Sequence, residues 1–200
     1  MSLPNYIYER MNEQVLWTLI DYSRQNSKSI YEQGNTLISV LSKYSTKHIL
    51  KFENIYWRFM QKSNEADLWA AAYVLNDGCN ETDFLHFRNW LLFQGQTTFK
   101  NVLQDPEVLV NYINFEDYQP LNFPNLEMGL AKLIRKKVGE IYESPNYKSF
   151  EVLGDLWKTD MEIVDKVPLL CQKMGWGNTV PQGDWKSDHN KSGYPATSKR

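Results

Sequence analysis

Cysteine is scarce in this chain, which holds only Cys79 and Cys171. One possible pair is no disulfide framework of the kind small secreted domains depend on. Neither residue has a CxxC partner or a histidine at metal-ligand spacing, so no zinc or other metal is expected. Histidine is scarcer than the length would allow: His48, His86 and His189 stand far apart and in different segments. The phosphate-cradling glycine motifs, HExxH and GxSxG are all missing, which leaves no recognisable catalytic set and implies no cofactor. No run approaches the ~20 apolar residues that cross a bilayer. The opening MSLPNYIYERMNEQ has no apolar stretch behind basic residues, so no signal peptide is expected and the cytoplasm is the expected location. A basic excess is missing too. Lys and Arg number 22 against 24 Asp and Glu, a net charge of −2, so no nucleic-acid partner is expected.

What the chain does have is apolar and aromatic side chains. Hydrophobic residues make up 42% and aromatic residues 14% of its 200 positions, enough for a packed core without staples. The seven Trp and twelve Tyr exceed ordinary core needs. They serve either at the edge of the core, with a polar tip in water, or on a binding surface.

Helical spacing recurs throughout. After a lead-in over residues 1–11, Asn12 suits an N-cap and Val15, Leu16, Leu19 and Ile20 follow at three- and four-residue steps, with Trp17 beside them. The break at Arg24–Ser29 precedes a helix from about Ser29 to Lys43, weakened at Gly34. Ser45 caps a third, whose stripe is Ile49, Phe52, Ile55, Tyr56 and Phe59. DLWAAAYVL, Asp67–Leu75, reads as a central buried helix opened by Asp67 and stopped by Asn76–Asp77–Gly78, with Gly78 at the left-handed position. Asn80 and Asp83 form an N-terminal box for the next, which carries Phe84, Phe87, Leu91 and Leu92 and ends near Gly95. Short helices are expected at Thr97–Leu103 and Pro106–Tyr112, a loop over Asn114–Asn125, and a long helix over Leu126–Tyr142. Residues 144–160 are ambiguous, and a last helix is expected near Val167–Met174. From Gly175 onward a polar tail is expected, pinned by Trp176, Trp185 and Tyr194. The fold class is mainly α: a compact multi-helix single domain over residues 12–174, with antiparallel helix hairpins and an irregular tail over 175–200. Lys132, Arg135, Lys136 and Lys137 read as a solvated face late in a helix.

The densest chemistry lies between Asp67 and Trp90. It gathers Asp67, Trp69, Tyr73, Asn76, Cys79, Asp83, Arg88 and Trp90 around two apolar helices joined by a short loop, with Glu53 as a further acid. The structural reading of Glu53, Asp67 and Arg88 is an N-cap at Asp67 and a partly buried ion pair fixing the helix pair. The functional reading is a pocket in which Arg88 grips a carboxylate or phosphate with its planar fork. The structural reading is preferred. His86 and Cys79 are nominal auxiliaries, Cys79 read chiefly as a small buried apolar side chain.

DLWAAAYVLNDGC followed by FLHFRNWLLFQG resembles the bacterial domain of unknown function 4240. The residues that carry the likeness are Asp67, Leu68, Trp69, Ala71, Ala72, Tyr73, Asn76, Gly78, Cys79, Phe84, Phe87, Arg88, Trp90, Leu91 and Gly95, and it spans about Met11–Asn111. Four positions depart from the family pattern: Ala66 for an aromatic, Asp77 for a glycine, Thr82 for an acid and His86 for a tyrosine. The resemblance implies a bacterial, cytosolic, helical domain and supplies no substrate or reaction. Two functions are therefore weighed. One is a protein-binding module, of toxin-neutralising or accessory type, whose partner is another protein. The alternative is an enzyme with a pocket built from Glu53, Asp67, Asp83 and Arg88. The first is preferred; the oligomeric state stays open.

Overall fold

The computed structural model describes residues 3, 5–115, 121, 123, 126–139, 142 and 151–176, without the side chains of residues 5 and 6. Residues 144–150, most of the expected loop over 114–125, and the expected tail beyond residue 176 with Trp185 and Tyr194 lie outside the described residues. Nine α-helices are described: α1 Glu13–Gln25, α2 Ile30–Leu41, α3 Thr46–Lys62, α4 Ala66–Leu75, α5 Glu81–Phe93, α6 Gln96–Gln104, α7 Leu126–Val138, α8 Asp160–Lys166 and α9 Pro168–Lys173. Two short 3-10 helices, Asn5–Glu9 and Pro106–Asn111, complete the description. The only extended pairing among the described residues is a single bridge between Glu65 and Leu153, so the chain is mainly α.

The helices group into two compact units. The first comprises Met1–Ser63, Asn89–Phe99 and Phe123–Phe150. Its helices start where local chemistry says they should. The Asn12 side chain accepts from the Val15 amide at 2.9 Å, Ser29 from Glu32 and Ser45 from His48, so each of these amide groups finds an oxygen. Helix α1 packs on α2 and α3, and α7 on the same two. The centre is an aromatic triangle: Trp17 lies 4.8 Å from Phe59 and 5.6 Å from Phe99, and those two rings meet at 5.5 Å. Each such side chain contributes a few kcal/mol by leaving water. The expected α3 stripe is buried at Ile49, Phe52, Ile55 and Tyr56, and Trp57 and Met60 broaden it.

Buried polar groups in this unit find partners. The Tyr56 hydroxyl lies 2.7 Å from both Asn89 Oδ1 and Glu127 Oε1, and Asn89 Nδ2 donates to the same carboxylate oxygen at 2.5 Å. This ties α3, α5 and α7 together. Gln33 Nε2 donates to the Phe93 carbonyl at 3.1 Å.

The second unit comprises Asn64–Arg88, Lys100–Asn122 and Glu151–Arg200. Helix α4 is its axis and packs against α8, α9 and the turn at Pro106–Asn111. Eight of its residues are buried, which explains a segment that is apolar all round. Helix α9 has a distant cap: Glu107 accepts from the Leu169 amide at 2.6 Å and from Leu170 at 3.4 Å.

Two expectations on helix bounds change. Helix α7 stops at Val138 rather than Tyr142, because Gly139 takes a φ of 76° and ends it. Helix α8 rises from sequence with no clear period; Thr159 caps it by accepting from the Glu162 amide, and Glu162 in turn accepts from the Lys158 amide.

Gly34 also has a reason. A Cβ there would sit 2.6 Å from the tip of Phe123, a buried ring held 4.4 Å from Phe93. Helix propensity favours Gly34→Ala by about 1 kcal/mol, but overpacking costs about 1–3 kcal/mol. We expect Gly34→Ala to lose roughly 1 kcal/mol in urea unfolding; a gain would show that Phe123 yields freely.

Candidate functional site

The corner between α4 and α5 is built by its backbone. Helix α4 ends at Asn76, after which Asp77 adopts a φ of 52° and Gly78 one of 113°. The Gly78 amide reaches back to the Tyr73 carbonyl at 2.9 Å, closing the wide ring of a Schellman ending. The left-handed C′ position thus belongs to Asp77, one residue before the glycine expected there. An Asp tolerates it, at about 1–2 kcal/mol. Asn76 holds a neighbouring stretch of chain, with Nδ2 donating to the Leu121 carbonyl at 3.4 Å and Oδ1 accepting from its amide at 3.0 Å.

The Asn80–Asp83 box forms as expected. Asn80 Oδ1 accepts from the Thr82 and Asp83 amides at 2.8 and 3.0 Å, and Asp83 Oδ2 accepts from the Asn80 amide at 3.2 Å. Asp83 is therefore a helix-starting residue. Trp69 lies inside the corner. Its indole N–H donates to the Cys79 carbonyl at 2.9 Å, and its ring stacks on Phe84 at 4.7 Å with 13° between planes. Buried Arg88 continues the column, with its guanidinium carbon 4.7 Å above the Phe84 ring and Nε 3.4 Å from the Phe84 carbonyl. Half-buried Tyr73 meets Trp157 at 5.6 Å and Trp176 at 5.9 Å, both edge to face.

Asp67 is not the N-cap. Glu65 holds that place without a side-chain cap bond, and the Ala66 amide is taken instead by the Leu153 carbonyl at 2.8 Å. With that amide satisfied by backbone, the Asp67 carboxylate turns outward, 59% exposed, and pairs with Lys166 at 2.5 Å. An exposed pair of this kind contributes little. Asp67, Trp69, Tyr73, Asn76, Cys79, Asp83 and Arg88 thus share the second unit. Glu53 and Trp90 belong to the first. There Glu53 is 3% exposed and accepts from the Tyr142 hydroxyl, and the Trp90 carbonyl accepts from Gln94 Nε2 at 3.1 Å.

Burial pushes the Cys79 thiol far up, the Asp83 carboxylate adds to this, and Arg88 and the Trp69 indole oppose it. Burial, then Glu107, raises Cys171 to about 11. Both cysteines are free and buried. Neither is a thiolate nucleophile at neutral pH.

A second candidate lies in the first unit, where sequence reading places none. A groove of about 500 Å³, counting the solvent it opens to, is lined by Tyr31, Gly34, Asn35 and Ile38 of α2, by Leu126 and Gly129 of α7, and by Phe123. Tyr31 is 61% exposed. The signal available in sequence is Gly129, an interior glycine in a run of good helix formers. No group of three or more His, Cys, Asp or Glu among the described residues is arranged to hold a metal, and no described helix is long and apolar enough to cross a membrane.

A family profile described as "Protein of unknown function (DUF4240)" matches residues 11–134. The chain belongs to the DUF4240 family. No curated protein and no solved structure matches it. The DUF4240 match runs from the lead-in to α1 nearly to the end of α7, farther than the resemblance to Asn111, and takes in both the α4–α5 corner and the groove.

Two outcomes follow for this DUF4240 chain. Asp77→Gly removes a strained left-handed residue at some cost in chain entropy, so it should add up to about 1 kcal/mol, or roughly 2–4 °C in melting temperature. A lower melting temperature would mean that the Asp77 side chain stabilises the corner. Thiol titration at about pH 8, below the ordinary thiol range, with a chromogenic disulfide should find neither cysteine in the native chain and both in denaturant; rapid native labelling of Cys79 would overturn the burial argument. Because both folded thiols ionise above the ordinary value of 9.0, their contribution is intact below that pH and is lost as pH rises above it, for Cys171 up to about 11.

Proposed function

We propose that this DUF4240 protein is a protein-binding module of the bacterial cytoplasm, of toxin-neutralising or accessory type. The observation that carries the reading is the α2/α7 groove, and within it Gly129. Among the described residues a Cβ at Gly129 would meet only Ile38, at 3.4 and 3.5 Å, which is ordinary contact. The described neighbours therefore leave room for a methyl group, and a helix-interior glycine costs up to about 1 kcal/mol against alanine. An unforced glycine on the floor of a groove keeps that groove open. An exposed tyrosine at its rim is the residue type that anchors protein interfaces.

The enzyme reading draws less support. Of its four residues, Asp83 starts α5, Asp67 pairs with Lys166 in solvent, and Arg88 lies on the Phe84 ring. Two free, buried cysteines suit a reducing compartment and support the cytoplasm.

The test is affinity capture of the full chain from its native host. A stoichiometric partner is expected with the wild type and with the exposed control Lys51→Ala. Gly129→Leu, which fills the groove and improves helix propensity, should lose it, and Tyr31→Ala should weaken it about tenfold or more. No stoichiometric partner, or full retention by Gly129→Leu, defeats the reading.

A further inference from the structure

The groove has a charged edge. Helices α2 and α7 run the same way, since Gly34 faces Phe123, Ile38 faces Gly129, and Lys137 Nζ donates to the Tyr44 carbonyl at 2.8 Å. Lys132 and Lys136 stand three and seven residues after Gly129, on the helix face that carries the groove wall forward. Both are exposed.

Four cations lie in this stretch of α7 and its end, but they are not equivalent. Arg135 donates to the Tyr142 carbonyl at 2.9 Å and Lys137 to that of Tyr44, so both are engaged with the chain's own backbone. Lys132 and Lys136 make no hydrogen bond or ion pair among the described residues. Lys132 is also the middle residue of α7, ahead of the last turn where the helix dipole favours a cation. Its charge faces solvent, in a chain whose net charge is −2.

We propose that the groove and the Lys132–Lys136 edge form one docking surface for an acidic amphipathic helix of a partner protein. A bulky apolar side chain of that helix enters between Ile38 and Gly129, and its carboxylates face the two lysines. Tyr31, Gly34, Asn35 and Ile38 form one face of α2, a wall about 10 Å long at the helical rise, along which the apolar face of a partner helix can lie. The lysines set direction and register, and opposite charge speeds encounter. This rests on the protein-binding reading above and adds the chemistry of the partner.

The probes are two synthetic amphipathic helices of about 18 residues, five turns. They share one Leu/Phe face and carry either Glu or Lys beside it. Fluorescence polarisation at low salt with the full chain should show the Glu peptide binding at least about tenfold tighter than the Lys peptide, with the gap closing as salt is raised. Lys132→Glu/Lys136→Glu should reverse the preference, and Gly129→Leu should abolish binding of both; circular dichroism confirms that each variant is folded. Equal binding, no binding, or a preference unmoved by the double reversal overturns the proposal. So does a dimer of the chain alone that Gly129→Leu dissociates, since the groove would then hold a second copy. If the captured native complex needs Gly129 but ignores the charge reversal, this inference falls and the broader reading stands. If no complex exists, both fall.

Discussion

The Trp69 indole hydrogen bond to the Cys79 carbonyl is the contact on which the second unit turns. It joins the middle of α4 to the residue just past the corner, so Asp77 and Gly78 must turn tightly enough to bring that carbonyl within reach. The same ring stacks on Phe84, which aligns the first turn of α5 against α4. A buried indole N–H without a partner costs about 1–3 kcal/mol, and loss of the whole ring costs about 3–5 kcal/mol. One side chain thus couples backbone strain at the corner to the packing of two helices. The column it begins continues to Arg88, whose guanidinium lies over the Phe84 ring.

The two units solve the burial of polar groups differently. The first uses side chains: Tyr56, Asn89 and Glu127 bond to one another across three helices, and Glu53 accepts from Tyr142. Such networks add less to stability than apolar packing would, but their geometry admits few alternative registers. The second unit uses side chains to hold backbone. Asn76 bonds both polar groups of Leu121, Asn64 donates to the Glu151 carbonyl at 3.0 Å, and Glu107 starts α9 from a distance. Segments with little periodicity of their own are positioned by these bonds, which is why residues 151–153 take a defined place beside α4.

How much of the fold is legible in sequence follows from the range of each interaction. Asn12, Ser29, Ser45 and the Asn80–Asp83 box act on amides two or three residues away, so the residues beside them are enough to reveal their roles. The stripes of α1 and α3 are readable for the same reason. Asp67 misleads because its amide neighbour is satisfied from Leu153, far along the chain. Glu107 gives no local hint of capping α9, and Gly34 looks like a plain weakness unless Phe123 is seen against it. Most of the residues gathered around the corner do come together, but largely as architecture. The groove is hard to read from sequence because it is made by what two distant helices lack, and Gly129 is the one local sign of it.

That last point separates the two glycines on the groove. Gly34 is forced: a methyl group there strikes a ring that the core holds in place. Gly129 is not forced, since it sits in ordinary helix with room for at least a methyl group beside Ile38. A fold selected for stability alone would be expected to fill that position with a better helix former, because neither backbone angle nor packing among the described residues stands in the way. The same contrast recurs among the cations, where Arg135 and Lys137 bond to carbonyls while Lys132 and Lys136 are left to solvent. The unforced glycine and the unengaged lysines lie on one face of one helix, and their agreement in position is the reason to look for a partner there rather than at the aromatic corner.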